Sequence, residues 1–566
     1  MKDRTVPLLI LFALIIAGVY WFTRSRSPHK PPAFSPVSIQ TQSPPAVVIM
    51  PVSTAAVPAN VSSENSKVEI NAESSSVTPP APELPWLEDE LIIRISDNTT
   101  MKRVAALMDE HDISIIRQVD KLGMARVKIP AGMSLPEAEK LLKEIGDVEH
   151  TERNIRTEMP KEIRELPMLG PGQPMTAVLQ DGKELIAIGD AQERASYGNN
   201  VRIALLDTGV DGTHPDLVDR VIGGYNFVDD TADVSDQNGH GTACAGILVG
   251  TGRGADTVGG IAPQAYLIPI KVMNDAGKGE SFAVIEGLVY AVDQGAKVIN
   301  LSIGTKSTSS ALKEAIDYVL SKGAIVVGAA GNDGSTDILK PGAYPEVICV
   351  GAVDGTRQYA PFSNYGEEID IVAPGVAIYT TAPDGRYMQF SGTSSAAPFV
   401  SGALAALISE NPYMSAEEIT TKLLEGADNL GYAGHDEYFG EGMLNLKRSL
   451  ISKADTVYDG ALTALYFSPN ELIPGQPTEI HFVLENQGNE PVSGAVFTYM
   501  IGDERHEERV DSLKPGECYD VTAPWTIPAE IPDNPITIQG YLRIDRADAE
   551  PDDNGKGVSI SLSDWH

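Results

Sequence analysis

Cysteine is nearly absent: Cys244, Cys349 and Cys518 are the three in 566 residues. So few and so scattered, they exclude a disulfide framework, and without a Cys-x-x-Cys pair nothing suggests zinc. Cys244 and Cys349 lie in apolar segments and are expected as small buried hydrophobes. Cations are scarce as well: 43 Lys and Arg stand against 78 Asp and Glu, for a net charge of −35. A surface of that sign repels phosphate backbones, which excludes nucleic acid as a partner. It also excludes simple electrostatic docking on anionic lipid. The ordinary use of such acidity is solubility.

One apolar run stands out, Val6 to Phe22, behind Lys2 and Arg4. It is near the shortest length that spans a bilayer, roughly 17–20 residues. It ends in Tyr20-Trp21-Phe22, then Arg24 and Arg26, where a cleaved signal would end in small residues. Interfacial aromatics followed by cations predict an uncleaved membrane anchor over residues 1–26. The alternative is a cleaved signal peptide. Either places the bulk of the chain outside the cytoplasm.

A chain of this length should hold several domains, since one core rarely serves more than about 250–300 residues. Residues 27–85 are rich in Pro, Ser, Val and Ala without a sustained period, which predicts a disordered stalk. Residues 86–158 read as a small α+β domain in the order βαββαβ, the ferredoxin-like split unit, with a last strand over Val148–Glu152. Residues 159–181 carry Pro160, Pro167, Pro171 and Pro174 and read as an exposed linker suited to processing. Over residues 182–455, apolar strands such as Val201–Leu206, Tyr266–Val272 and Ala324–Ala329 alternate with amphipathic helices such as Ser310–Ser321. This predicts an α/β domain with a mostly parallel sheet flanked by helices. Residues 459–566 alternate in short segments between Gly and Pro turns, as an all-β sandwich does.

Amide cleavage by a side chain needs a nucleophile, a base, a group to orient the base, and donors for the oxyanion. Asp207 follows the apolar strand Val201–Leu206 and opens Asp207-Thr208-Gly209. His240 stands in Asn238-Gly239-His240-Gly241-Thr242 at the start of an apolar helix. Ser394 stands in Gly392-Thr393-Ser394-Ser395-Ala396 at the start of another, where the helix dipole and its own N–H favour a developing anion. Each alone would read as a capping or structural residue. The order Asp, His, Ser is the subtilisin order, unlike that of chymotrypsin or the α/β-hydrolases.

These three segments match the signatures of the subtilase family, and over roughly Leu185 to Leu450 the chain resembles it. The resemblance implies a subtilisin-like fold and serine endopeptidase activity on polypeptide substrates. Asp207 would orient His240, His240 would be the general base and Ser394 the nucleophile. Ala329-Ala330-Gly331-Asn332-Asp333-Gly334 resembles the family's oxyanion loop, with Asn332 as the side-chain donor. Ser302-Ile303-Gly304 resembles the segment that pairs with substrate backbone, and Ala329, Ala330 and Gly331 would line the first pocket. Residues 86–158 resemble the family's propeptide inhibitors, which implies a precursor held by its own prodomain.

No cofactor is required for this chemistry. Structural calcium is implied through Asp216 in His214-Pro215-Asp216-Leu217, although its partner loop Gly252–Gly259 offers only Asp256 as an obvious oxygen donor. Ala243 and Ser395 depart from common family residues, and Cys244 matches proteinase K-like relatives; no catalytic group is lost. Leu484-Glu485-Asn486-Gln487-Gly488 and the late Asp545…Glu550…Asp553-Asn554 resemble adhesion-related sandwich domains of the CARDB type. The competing function, a catalytically dead scaffold, would need a missing triad residue.

Overall fold

The computed structural model describes residues 84–160, 186 and 198–560, apart from short stretches at 96–97, 146, 253–257, 453–454, 469–471 and 530–534. The expected anchor, nearly all of the stalk and most of the linker lie outside the described residues. Among the described residues, no helix is long and apolar enough to cross a membrane.

The centre is a seven-stranded parallel sheet built on Arg202–Asp207, Tyr266–Lys271, Val298–Leu301, Ile325–Ala329, Ile348–Val353, Ile371–Pro374 and the short Tyr225–Asn226. Its strands are apolar on both sides because both faces are covered. Along one strand Ile203 and Leu205 enter one core, while Ala204 and Leu206 enter the other. The first core packs the helices His240–Val249 and Thr393–Glu410. The second packs Ser281–Asp293 and Ser310–Ser321. The helix Ser310–Ser321 is capped by the Ser309 hydroxyl, and Gly323 follows it at positive φ, as the sequence suggests.

Residues 86–158 form the expected βαββαβ unit, with strand order Ser114–Val119, Met124–Lys128, Trp86–Ile95, Val148–Glu158. Its last strand runs six residues past the expected end at Glu152. The apolar alternation stops there, but hydrogen-bonding partners do not: residues 156–158 pair antiparallel with Lys278–Glu280 of the α/β domain. Strand extent here is set by a partner the local pattern cannot reveal.

The same sheet lies on two helices of the α/β domain. Ile92, Val119, Leu122 and Met124 share a core with Phe282, Ala283 and Leu312. Glu152 accepts from the Ser309 hydroxyl (2.6 Å) and the Ser310 N–H (2.9 Å), at the positive end of the helix Ser310–Ser321. Asn154 accepts from the Phe282 N–H (3.2 Å) at the start of the other helix. Arg117–Glu286 (2.7 Å) and Arg126–Glu280 (2.8 Å) add charge pairs.

Residues 460–560 form a three-stranded and a four-stranded antiparallel sheet around a core that includes Phe482, Phe497 and Leu542. The buried Arg448 joins this unit to the α/β domain, meeting Asp428 (3.2 Å) and Glu485 (2.9 Å).

Candidate active site

Parallel α/β sheets place their sites at the carboxyl edge of the strands. Asp207 ends its strand there, and Asn332 follows Ile325–Ala329 by three residues. His240 and Ser394 stand at the first and second positions of helices on the same face. The sheet therefore brings all four together, from positions 187 residues apart in the chain (207 to 394).

His240 Nδ1 lies 2.7 Å from Asp207 Oδ1, and both side chains are essentially without solvent. Burial alone would lower the imidazole pKa. Against that largest single effect, the charge and hydrogen bond of Asp207, with Cys244 beside it, together hold His240 well above the ordinary histidine range. Asp207 Oδ1 also accepts from the Thr208 N–H at 2.8 Å. The approach depends on Gly241: a Cβ there would stand 2.0 Å from Gly209 O and 3.1 Å from Asp207 Oδ1.

His240 Nε2 is buried and has no hydrogen-bond partner. The expected bond to the Ser394 hydroxyl is thus not formed in this state, as is common before substrate is bound. Ser394 itself is fixed through its carbonyl, which accepts from Ser302 Oγ (3.0 Å) and Cys244 Sγ (3.4 Å). Ser302 is in turn held by Asn300 Nδ2 at 2.9 Å.

Asn332 is oriented by its own oxygen, which accepts from the N–H (2.8 Å) and hydroxyl (2.9 Å) of Thr393. That turns Nδ2 toward the serine. A Cβ at Gly392 would lie 2.8 Å from Asn332 Nδ2 and 2.9 Å from Ser394 Oγ, so both groups border one small space. Gly392, at φ 148°, keeps that space open.

Asp236 was not singled out in the sequence. Its buried carboxylate accepts from Thr208 Oγ1 (2.9 Å), Gly239 N (2.9 Å) and Thr242 N (2.9 Å). It ties the Asp207 turn to the His240 helix. Its signal was present: an acid just ahead of a Gly-His helix start is where a helix N-terminus recruits a carboxylate.

Ser302, Ile303 and Gly304 follow the strand Val298–Leu301, and Gly304 pairs in both directions with Glu158: Glu158 N–H to Gly304 O at 2.9 Å, Gly304 N–H to Glu158 O at 3.0 Å. Met159 N–H reaches Gly277 O at 3.3 Å. Ala329, Ala330 and Gly331 are buried at the end of the neighbouring strand Ile325–Ala329, with the Gly331 N–H on Thr393 Oγ1 at 3.0 Å.

Asp207, His240 and Cys244 form the one His/Cys/Asp/Glu group among the described residues whose ligand atoms converge within 4.8 Å. Burial raises the Cys244 thiol pKa, so it stays protonated and is a poor metal ligand. Asp216 does not fit the calcium expectation. It is buried, and its oxygens accept from Val258 N (2.8 Å), Tyr387 OH (3.0 Å) and Thr251 Oγ1 (3.3 Å). Lone pairs taken by three protein donors are not presented to an ion. Asp256 lies outside the described residues.

Comparison with known proteins agrees with this geometry. Residues 198–442 match the Subtilase family, and residues 72–154 match the Fervidolysin N-terminal prodomain. Subtilisin DY of Bacillus licheniformis is 39% identical over 270 residues, covering 47% of this chain and 96% of that protein. Thermitase of Thermoactinomyces vulgaris is 38% identical over 280 residues, covering 50% and 99%. In fold, the chain resembles fervidolysin from Fervidobacterium pennivorans, a keratinolytic enzyme related to subtilisin. That match has a TM-score of 0.57 at 22% identity and covers 81% of this chain and 89% of that one.

Proposed function

Because the chain belongs to the subtilase family of serine endopeptidases, we propose that Asp207, His240, Ser394 and Asn332 are its chemical groups and that it is made as a precursor inhibited by residues 86–158. The observation that carries the first part is the shared space bordered by Asn332 Nδ2 and Ser394 Oγ, beside a buried Asp207–His240 pair. Ser394 Oγ attacks the scissile carbonyl while His240 Nε2 takes its proton. Asp207 holds the imidazole by Nδ1 and stabilises its charged form. The oxyanion is received by Asn332 Nδ2 and the Ser394 N–H. His240 then gives the proton to the leaving amine, and water releases the acyl group by the reverse sequence. The expected readout is hydrolysis of a short peptide amide by the processed enzyme. Asn332→Ala should keep measurable activity but lose about 10²–10³ in kcat, with little change in KM. An unchanged kcat would remove Asn332 from this role.

The second part rests on backbone pairing of the prodomain's last strand: residues 156–159 pair with 277–280, and Glu158 pairs on its other side with Gly304 of the segment that would take substrate. That pairing is the extended, main-chain mode of peptide recognition. Antiparallel register then sets the next pair: with Glu158 opposite Gly304, Pro160 falls opposite Ser302. Ser302 donates to the Ser394 carbonyl, and on this register we take the bond after Pro160 as the one cleaved. Pro160 is buried and, as proline, has no N–H to give the Ser302 carbonyl. We read it as a brake on self-cleavage. Pro160→Ala should speed conversion of the precursor roughly 3–10-fold, the worth of one restored backbone hydrogen bond, with a new N-terminus at Lys161. A mature chain starting elsewhere, or an unchanged rate, would refute this register. We place the enzyme outside the cytoplasm, behind the apolar run Val6–Phe22.

A further inference from the structure

Two chain segments flank the nucleophile with a crevice between them. The strands Val298–Leu301 and Ile325–Ala329 are parallel neighbours in the sheet, and beyond their carboxyl ends the chain continues as Ser302-Ile303-Gly304 and Ala330-Gly331-Asn332. Such crevices are where α/β sheets take their ligands. This one opens at Ser394: Ser302 Oγ donates to the Ser394 carbonyl at 3.0 Å, and Asn332 Nδ2 borders the space beside the Ser394 hydroxyl.

The depth of the crevice is already filled. Leu339, from the loop that follows Asn332, enters it and is 6% exposed. A Cβ on Gly304 would stand 2.8 Å from Leu339 Cβ and 3.2 Å from its Cδ1, and a Cβ on Gly331 would stand 3.0 Å from Leu339 Cγ. One leucine therefore touches both walls at van der Waals distance or closer. Its loop is fastened on each side. The Leu339 N–H donates to the Ala330 carbonyl at 3.0 Å, and Thr305 and Lys340 exchange both backbone hydrogen bonds at 2.9 Å. Asn364 Nδ2 adds a bond to the Asp337 carbonyl at 2.9 Å. Charge beside the crevice is settled as well: Asp333, next to Asn332, pairs with Lys306 at 2.8 Å.

We propose that Leu339 is the floor of the first specificity pocket and restricts cleavage to bonds that follow a small, uncharged residue, of the size of alanine, serine or proline. This rests on the endopeptidase reading above and narrows its substrate class. A bulky side chain before the scissile bond would have to displace Leu339 against the hydrogen bonds that hold its loop, and forcing extra volume into a filled space is costly. The residue that the prodomain register sets opposite Ser302, Pro160, is small and buried.

The test uses the processed enzyme and two short peptides that differ only in alanine or phenylalanine before the scissile bond, with active sites counted by a fluorophosphonate probe. The alanine peptide should have the higher kcat/KM by at least about tenfold, the scale of discrimination by pocket size. Leu339→Ala should raise the phenylalanine-to-alanine ratio by about tenfold or more, and Leu339→Val by less. Both peptides are read on one preparation, so any loss of folded enzyme cancels from the ratio, and the milder valine variant serves should the alanine one not fold. A parent that cleaves the phenylalanine peptide as well as the alanine one overturns the proposal, whatever the variants do. So does a ratio that neither variant moves. An enzyme that takes no probe and cleaves neither peptide would instead refute the endopeptidase reading, and the pocket with it.

Discussion

Ser394→Ala should lower kcat on a short peptide by about 10⁶, the scale of losing subtilisin's own nucleophile, while leaving the fold intact. The hydroxyl contributes no hydrogen bond that the fold depends on. The carbonyl and N-terminal position of residue 394, which do hold the helix start, survive the change. The same variant should remain a full-length precursor in a host lacking other proteases. Measuring peptide turnover together with precursor length checks both statements. Retained turnover would remove Ser394 from the chemistry, and normal processing would show that maturation is performed by another enzyme.

Asp207→Asn should cost roughly 10⁴ in kcat. The carboxylate now accepts from His240 Nδ1 at 2.7 Å, which leaves Nε2 free to take a proton. An amide presenting N–H instead would turn the imidazole to the wrong tautomer. The pH profile gives a second readout. A general base works only when neutral, and Asp207 holds His240 well above its ordinary range against the opposing effect of burial. In the native enzyme activity should therefore fall as pH drops through that raised value. Removing the carboxylate lowers the His240 pKa, so the acid limb of kcat/KM should move to lower pH in the variant while the plateau falls. A limb that stays in place would mean that Asp207 does not set the charge state of His240.

What could be read from the sequence was whatever a local pattern or a chemical requirement dictates. The parallel sheet was legible because its strands are apolar on both faces, and Ile203 and Ala204 do enter opposite cores. Asp207, His240 and Ser394 were legible because each sits in a Gly-containing segment that close backbone approach demands, as Gly241 and Gly392 show. What escaped was set by distant partners. The strand Val148–Glu158 outran its own pattern because Lys278–Glu280 and Gly304 supply its hydrogen bonds. Asp236 looked like any loop acid until Thr208 and Thr242 were seen to converge on it. Asp216 looked like an ion ligand until Val258 and Tyr387 filled its lone pairs.

The most direct test of the central claim is labelling of the processed enzyme with a fluorophosphonate probe, followed by peptide mass mapping of the adduct. A phosphonyl group forms only on a hydroxyl activated by a base and received by an oxyanion site. One labelled residue is expected, Ser394, with labelling abolished by Ser394→Ala and strongly slowed by Asp207→Asn. A protein that is folded and processed yet takes no label, or takes it at a residue other than Ser394, would contradict the account.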